Sequence, residues 1–267
     1  MDETLVIRAR SGDRAAMEDL LASVAPSIRR FAMRMCRNEA DADDVLQDAL
    51  LSVATNLDSF EGRSSVPSWA FAITRSACTR RRRGKKNEPA AGDDVLVGME
   101  TREPGPEDSA ASSEMAELVA RALDGLPDDY REVLLLRDAE GLTAPEAAVV
   151  LAVSVDALKS RLHRARAALR EALRPTLEAD ATPRAACPDV VRALSRKLED
   201  ELDASACAEM EKHVDGCPAC ARTCDTLKDV LRACRTSPTT VLSPELAARV
   251  KEAVAQWLLR RDVRTLG

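Results

Sequence analysis

Aromatic residues make up only 2% of this 267-residue chain, with three phenylalanines, two tryptophans and one tyrosine. Strands favour aromatic and β-branched side chains, so a core built mainly from alanine and leucine is expected to rest on helices. Histidine occurs twice, at His163 and His213. With no His-Glu-x-x-His, no Gly-x-Ser-x-Gly and no phosphate-cradling glycine loop, the metallohydrolase, serine-hydrolase and nucleotide-hydrolase classes lack their parts, and no catalytic residue is assigned. No apolar run approaches the roughly 20 residues that span a bilayer. The start, Met1-Asp2-Glu3, lacks the basic opening of a signal peptide, and a cytoplasmic protein is expected.

Cysteine, by contrast, is concentrated: six of the eight fall between Cys187 and Cys234. In a reducing compartment such a cluster more often holds metal or switches redox state than forms permanent staples. His213-Val-Asp-Gly-Cys217-Pro-Ala-Cys220 has the spacing of a soft-metal knuckle. If 208–214 is helical, His213 and Cys217 share a face one turn apart, and Pro218 supplies the turn. Cys36 and Cys78 each stand isolated in an apolar helical segment and read as small core residues.

The net charge of −6 averages opposed segments. Residues 75–86 carry seven positive side chains and no negative one, whereas 87–118 carry nine acidic residues against one arginine. Local patches attract phosphate, so the acidic whole does not exclude a nucleic-acid partner.

The length predicts two domains or three small ones. Boundaries are expected at 1–84 for a first helical domain, 85–113 for a flexible acidic linker and 114–174 for a second domain. A linker at 175–186, a cysteine-rich domain at 187–236 and an amphipathic helix over 237–267 follow. In the first domain Asp13 caps one helix, Pro26 opens the next, and Asn38 with Asp41 caps a helix to about Asn56. A loop over 56–66 precedes a helix that Pro67 begins. In the second, Pro127 opens a helix, Thr143-Ala-Pro-Glu146 is a capping box for a short helix to Leu151, and Ser154 caps a long one. Two helices three residues apart suggest a helix-turn-helix. On the long helix Leu158, Leu162, Ala165 and Leu169 form a buried stripe. Lys159, His163, Arg166 and Arg170 form a basic stripe about 100° away, expected to face solvent. Beyond these, Ser243 to Leu266 carries Leu246, Val250, Val254, Trp257 and Leu258 on one side, to pack either on the preceding domains or within the tail's own core.

These blocks resemble bacterial sigma factors of the extracytoplasmic-function group. Asp41-Ala-Asp-Asp44-Val-Leu-Gln47-Asp48 is similar to that family's helix that docks on core RNA polymerase, which implies polymerase contacts at Asp41, Asp44, Gln47 and Asp48. The stretch from Phe60 through Trp69 to Arg75, ending in Arg80 to Arg83, resembles the promoter-melting segment. It implies DNA contacts at Asn56, Arg63, Trp69, Arg75, Arg80, Arg81, Arg82 and Arg83, with an unstacked base held by the loop. Leu126 to Leu136 with the helix-turn-helix resembles the upstream-element reader. Its long helix would enter the major groove, with Val155, Asp156, Lys159, Ser160 and His163 towards base edges and Arg164, Arg166 and Arg170 towards phosphates.

The cysteine-rich segment resembles the zinc-binding anti-sigma domain, which implies Cys187 as fourth ligand with His213, Cys217 and Cys220, a closed Cys₃His zinc site. Fusion to the sigma-like part, with the additional Cys207, Cys224 and Cys234, resembles the CorE-type sigma factors. That likeness implies a metal-bound tail needed for activity and copper, cadmium or zinc as signal. The three additional thiols are expected to complete a second, thiolate-rich site. The reading is therefore an all-α protein of two helical sigma domains, the second a helix-turn-helix, joined by a flexible linker and followed by a small helical metal-binding domain. It is a metal-responsive promoter-specificity subunit with core RNA polymerase and promoter DNA as partners and no membrane or small organic substrate. The tail without its metal is expected to block or misalign the sigma domains and metal closure to permit transcription, although the sign stays open. A redox-switched sigma factor with structural zinc, or a standalone helix-turn-helix regulator, are the alternatives.

Overall fold

A computed structural model describes residues 3–36, 38–62, 64–84, 108–177, 187–235, 244, 247–249, 251, 252, 254 and 255, and every described element is helical. Two compact units partition the chain, one formed by 1–101 with 238–267, the other by 102–237.

The first unit contains α1 (Glu3–Arg10), α2 (Arg14–Cys36), α3 (Glu39–Asn56) and α4 (Val66–Gly84), with a short 3₁₀ turn at Leu57–Ser59. Asp13 caps α2 through the Ala16 amide at 3.1 Å. Asn38 caps α3 through the Asp41 amide at 2.8 Å, and its own amide group donates to the Asp41 carboxylate at 2.6 Å. Pro26 does not open a helix, contrary to expectation. It lies inside a continuous α2, because the apolar stripe of Leu20, Leu21, Val24, Ala25, Ile28 and Phe31 runs straight through it and burial holds both halves in line. The core joins that stripe to Leu46, Ala49, Leu50 and Val53 of α3 and to Val66 and Ala70 of α4. Phe31 and Phe71 meet edge to face at 5.5 Å.

Cys36 and Cys78 are both buried, but they are not isolated: their sulfurs lie 3.0 Å apart between α2 and α4. The hydrogen bond from Cys78 draws the Cys36 thiol below its ordinary pKa. Val254, from the C-terminal segment, is 2% exposed and belongs to the same core. Leu246, Val250, Trp257 and Leu258 lie outside the described residues.

In the second unit, α5 (Asp108–Gly125) begins six residues inside the stretch expected as linker. It is followed by α6 (Asp128–Leu134), a π-helical turn at Leu135–Ala139, α7 (Ala144–Leu151) and α8 (Val155–Leu177). Arg131 is fully buried and donates to the carbonyls of Leu123, Asp124 and Leu126, satisfying the C-terminus of α5. The Thr143–Glu146 capping box is formed, and Ala152, at φ 55°, closes α7 in the left-handed conformation. Ser154 caps α8 through the Ala157 amide at 3.2 Å. The rest of the unit is α9 (Val190–Lys197), α10 (Ala204–Gly216) and α11 (Pro218–Arg235). The helix-turn-helix and the cysteine-rich segment, separated in the sequence-based boundaries, thus fall within one compact unit.

Candidate metal centre and DNA-reading face

Cys187, His213, Cys217 and Cys220 place their ligand atoms within 4.8 Å of one another. The sulfurs of Cys187 and Cys217 are 3.9 Å apart and His213 Nε2 is 3.3 Å from the Cys220 sulfur. A tetrahedron with zinc–sulfur bonds of about 2.3 Å has sulfur–sulfur edges of about 3.8 Å, so the set fits a four-coordinate zinc. The shared-face argument for His213 and Cys217 does not hold, because α10 ends at Gly216 and Cys217 is extended, at φ −128° and ψ 99°. That break turns the Cys217 sulfur back towards His213 while Cys220 rises from the first turn of α11. The Cys220 amide holds the Cys217 thiol below its ordinary pKa. Burial, together with the neighbouring Cys187 and Cys217, pushes the Cys220 thiol up to about 12. A bound cation would have to displace the Cys220 proton, which burial and the neighbouring thiols otherwise hold in place.

Cys207, Cys224 and Cys234 lie outside the one convergent Cys/His group among the described residues. Cys224 and Cys234 are ten residues apart on α11, about 15 Å along the axis. No single ion spans that distance. Cys224 instead packs with Val190, Leu194, Cys220 and Leu227, and burial raises its pKa. Cys207 faces Glu211 at 3.5 Å, beside the Lys197–Glu211 pair.

The buried stripe of α8 is as expected, with Leu158, Leu162, Ala165 and Leu169 fully buried. The basic stripe is not solvent-facing. Lys159 pairs with Glu201 at 3.1 Å. His163 bonds to the Ser195 hydroxyl through Nδ1 at 2.6 Å and to Glu201 through Nε2 at 3.0 Å. Arg166, its side chain 2% exposed, donates to both oxygens of Asp138, to Glu199 at 3.0 Å and to the Ser195 carbonyl and hydroxyl. Arg170 reaches the Thr223 hydroxyl at 3.4 Å. Burial works against the Arg166 charge, but Asp138 and Glu199 prevail and raise its pKa above the ordinary arginine value. All four basic residues therefore touch the segment that follows residue 187. Val155 is half-buried, and Asp156, Ser160 and Arg164 stay exposed on the same helix.

The clasp comes from a short stretch. Ser195 lies in the last turn of α9, whose carbonyl end favours a cation. After it Asp200, at φ 56°, reverses the chain so that Glu199 and Glu201 both reach α8. Glu199 also pairs with Arg137 of the π-helical turn at 2.5 Å. Ser195, Glu199 and Glu201, with Asp138, are partners of the basic stripe that the sequence alone did not bring forward. The acidic run Leu198-Glu-Asp-Glu201 within reach of a basic stripe was the available signal.

On the first unit, Asp41 is 7% exposed and, with Asp44, is engaged by Arg81 at 2.8 and 2.5 Å. Arg81 is thus spent on α3. Burial opposes its charge, and the two carboxylates still raise its pKa. Asp48 is exposed, as are Asn56 and Arg80, while Arg75 and Arg82 are half-buried. Trp69 stacks on Phe60 at 5.2 Å against the core. Arg63 and the side chain of Arg83 lie outside the described residues.

Comparison with known proteins gives the same order of parts. The family described as "Sigma-70 region 2" matches residues 20–88, "Sigma-70, region 4" matches 116–169, and "Putative zinc-finger" matches 187–221. The ECF RNA polymerase sigma factor EcfG of Rhodopseudomonas palustris is 38% identical over 57% of this chain and 81% of its own length. The ECF sigma factor SigW of Bacillus subtilis is 29% identical over 62% of this chain and 94% of its own. Among solved structures, CnrH in complex with the cytosolic domain of CnrY is 30% identical, covers 66% of this chain and 98% of that one, and superposes with a TM-score of 0.50.

Proposed function

The chain belongs to the extracytoplasmic-function family of RNA polymerase sigma factors, initiation factors rather than enzymes, which direct core polymerase to promoters, and we propose that its cysteine-rich segment gates that activity in cis. The observation that carries this reading is the burial of the α8 basic stripe against Ser195, Glu199, Glu201 and Thr223. Lys159, His163, Arg166 and Arg170 are the side chains assigned to DNA, and the carboxylates of Glu199 and Glu201 take up donors of Lys159, His163 and Arg166 that DNA would otherwise bind. Val155, Asp156, Ser160 and Arg164 complete that face. Promoter melting is assigned to Asn56, Arg63, Trp69, Arg75, Arg80, Arg82 and Arg83, Arg81 being held by Asp41 and Asp44, and polymerase docking to α3 through Asp44, Gln47 and Asp48, Asp41 being buried beneath Arg81.

Cys187, His213, Cys217 and Cys220 would hold the metal, zinc by ligand chemistry, and coordination there supplies folding free energy by tying four chain positions together. Cys187 stands three residues ahead of α9, and α9 carries Ser195 and leads into Glu199 and Glu201. The ligand set and the clasp are formed in one conformation. This supports a metal-loaded clasped state, the reverse of the expectation that metal closure permits transcription.

Run-off transcription by core polymerase with the reduced protein, titrating Zn²⁺, Cd²⁺, Cu²⁺, Cu⁺ and a chelator separately, tests the reading. Output should be low with the Cys₃His site filled and should rise as metal is withdrawn. A metal that raises output would reverse the sign, and output indifferent to every metal but changed by oxidation would replace metal gating with a thiol switch.

A further inference from the structure

The acidic face of α3 already carries a cation from this chain. Arg249, in the C-terminal segment, donates to the Gln47 side-chain oxygen at 3.0 Å and lies 3.5 Å from an Asp44 carboxylate oxygen. Five residues on, Val254 is buried in the core formed by α1, α2, α3 and α4. Both contacts lie within a single compact unit, which joins 1–101 to 238–267. The two residues differ in strength: an exposed arginine–carboxylate pair holds weakly, whereas full burial of a valine is the anchor. Asp44 and Gln47 are two of the three residues assigned above to polymerase docking, an assignment on which this inference rests.

We propose that the C-terminal segment around Arg249 and Val254 competes with core RNA polymerase for the acidic face of α3. The chemistry is matched. A helix presenting Asp44, Gln47 and Asp48 takes a partner with cationic and amide-pairing groups, and Arg249 supplies both kinds of bond in place of that partner. Asp48 remains exposed beside the covered pair, so polymerase has a foothold from which to displace the segment. The apparent affinity for polymerase is then the intrinsic affinity reduced by the fraction of chains whose α3 is uncovered. This device is separate from the clasp on α8, whose partners among the described residues come from 138, 195–201 and 223.

The test is fluorescence-anisotropy titration of the labelled full chain with core RNA polymerase, at fixed ionic strength, for the wild type and three single variants. Val254→Asp removes the anchor and should tighten binding roughly tenfold; Arg249→Glu, which sets a like charge against Asp44, should tighten it about threefold. Asp48→Arg should weaken binding at least about tenfold, because it damages the docking face itself. Wild-type affinity in both tail variants alongside weakened Asp48→Arg would overturn the competition and leave the docking assignment standing. Wild-type affinity in Asp48→Arg would overturn the docking assignment, and the competition with it. Should Val254→Asp unfold the unit, seen as a lost thermal transition, Arg249→Glu on the surface still decides.

Discussion

Glu199→Ala tests whether the clasp masks the DNA-reading helix. The Glu199 side chain is 1% exposed and pairs with Arg166, 2% exposed, and Arg137, 15% exposed. Removing one partner of a buried pair typically costs about 3–5 kcal/mol. Arg166 keeps both bonds to Asp138 and its contacts to Ser195, so the lower figure applies, about 3 kcal/mol. At about 1.4 kcal/mol per decade this shifts the clasp towards opening by roughly 150-fold. In the metal-loaded protein, promoter-DNA affinity measured by anisotropy should rise by up to about two orders of magnitude, limited by the fraction already open. Removing a negative charge favours DNA anywhere on the surface. Glu209→Ala, at an exposed position of α10, therefore makes the same charge change as a control and should alter affinity by about twofold at most at matched salt. Equal affinities for the two variants would refute the masking argument.

Other consequences are independent of that one. Cys220→Ala should abolish stoichiometric zinc by elemental analysis and accelerate amide exchange across α9, whereas Cys207→Ser, outside the convergent set, should leave zinc content at the wild-type level. Asp200 holds a left-handed backbone at φ 56°, so Asp200→Val should lower the stability of its unit by about 1–2 kcal/mol in calorimetry, with Asp200→Gly near neutral or stabilising. Burial opposes the charge on Glu201, but bonds from His163 and Lys159 outweigh it and hold the carboxyl below its ordinary 4.5. A depressed carboxyl stabilises the fold above its unfolded value and loses that contribution as pH falls through the folded one. The thermal-stability gap between wild type and Glu201→Gln should accordingly shrink as pH falls below that value.

Local features of this protein follow from its sequence alone. Caps at Asp13, Asn38, Thr143 and Ser154, the helix-turn-helix spacing and the apolar stripe of α8 depend on residues three or four apart, and periodicity reads them directly. The Cys-x-x-Cys knuckle was legible for the same reason, though its closure required α10 to stop at Gly216. Periodicity says which side chains share a face and is silent on what covers it. The stripe of Lys159, His163, Arg166 and Arg170 therefore reads as solvated, yet partners 28 to 53 residues away, Asp138, Ser195, Glu201 and Thr223 among them, bury or bind it. Cys36 and Cys78, 42 positions apart, likewise look isolated until α2 and α4 pack. The presumed second thiolate site fails on rise per residue, since ten positions of one helix separate Cys224 from Cys234. Tertiary structure decided these points because a charged face is stable against water or against complementary charge, and only the folded chain determines which of the two it meets.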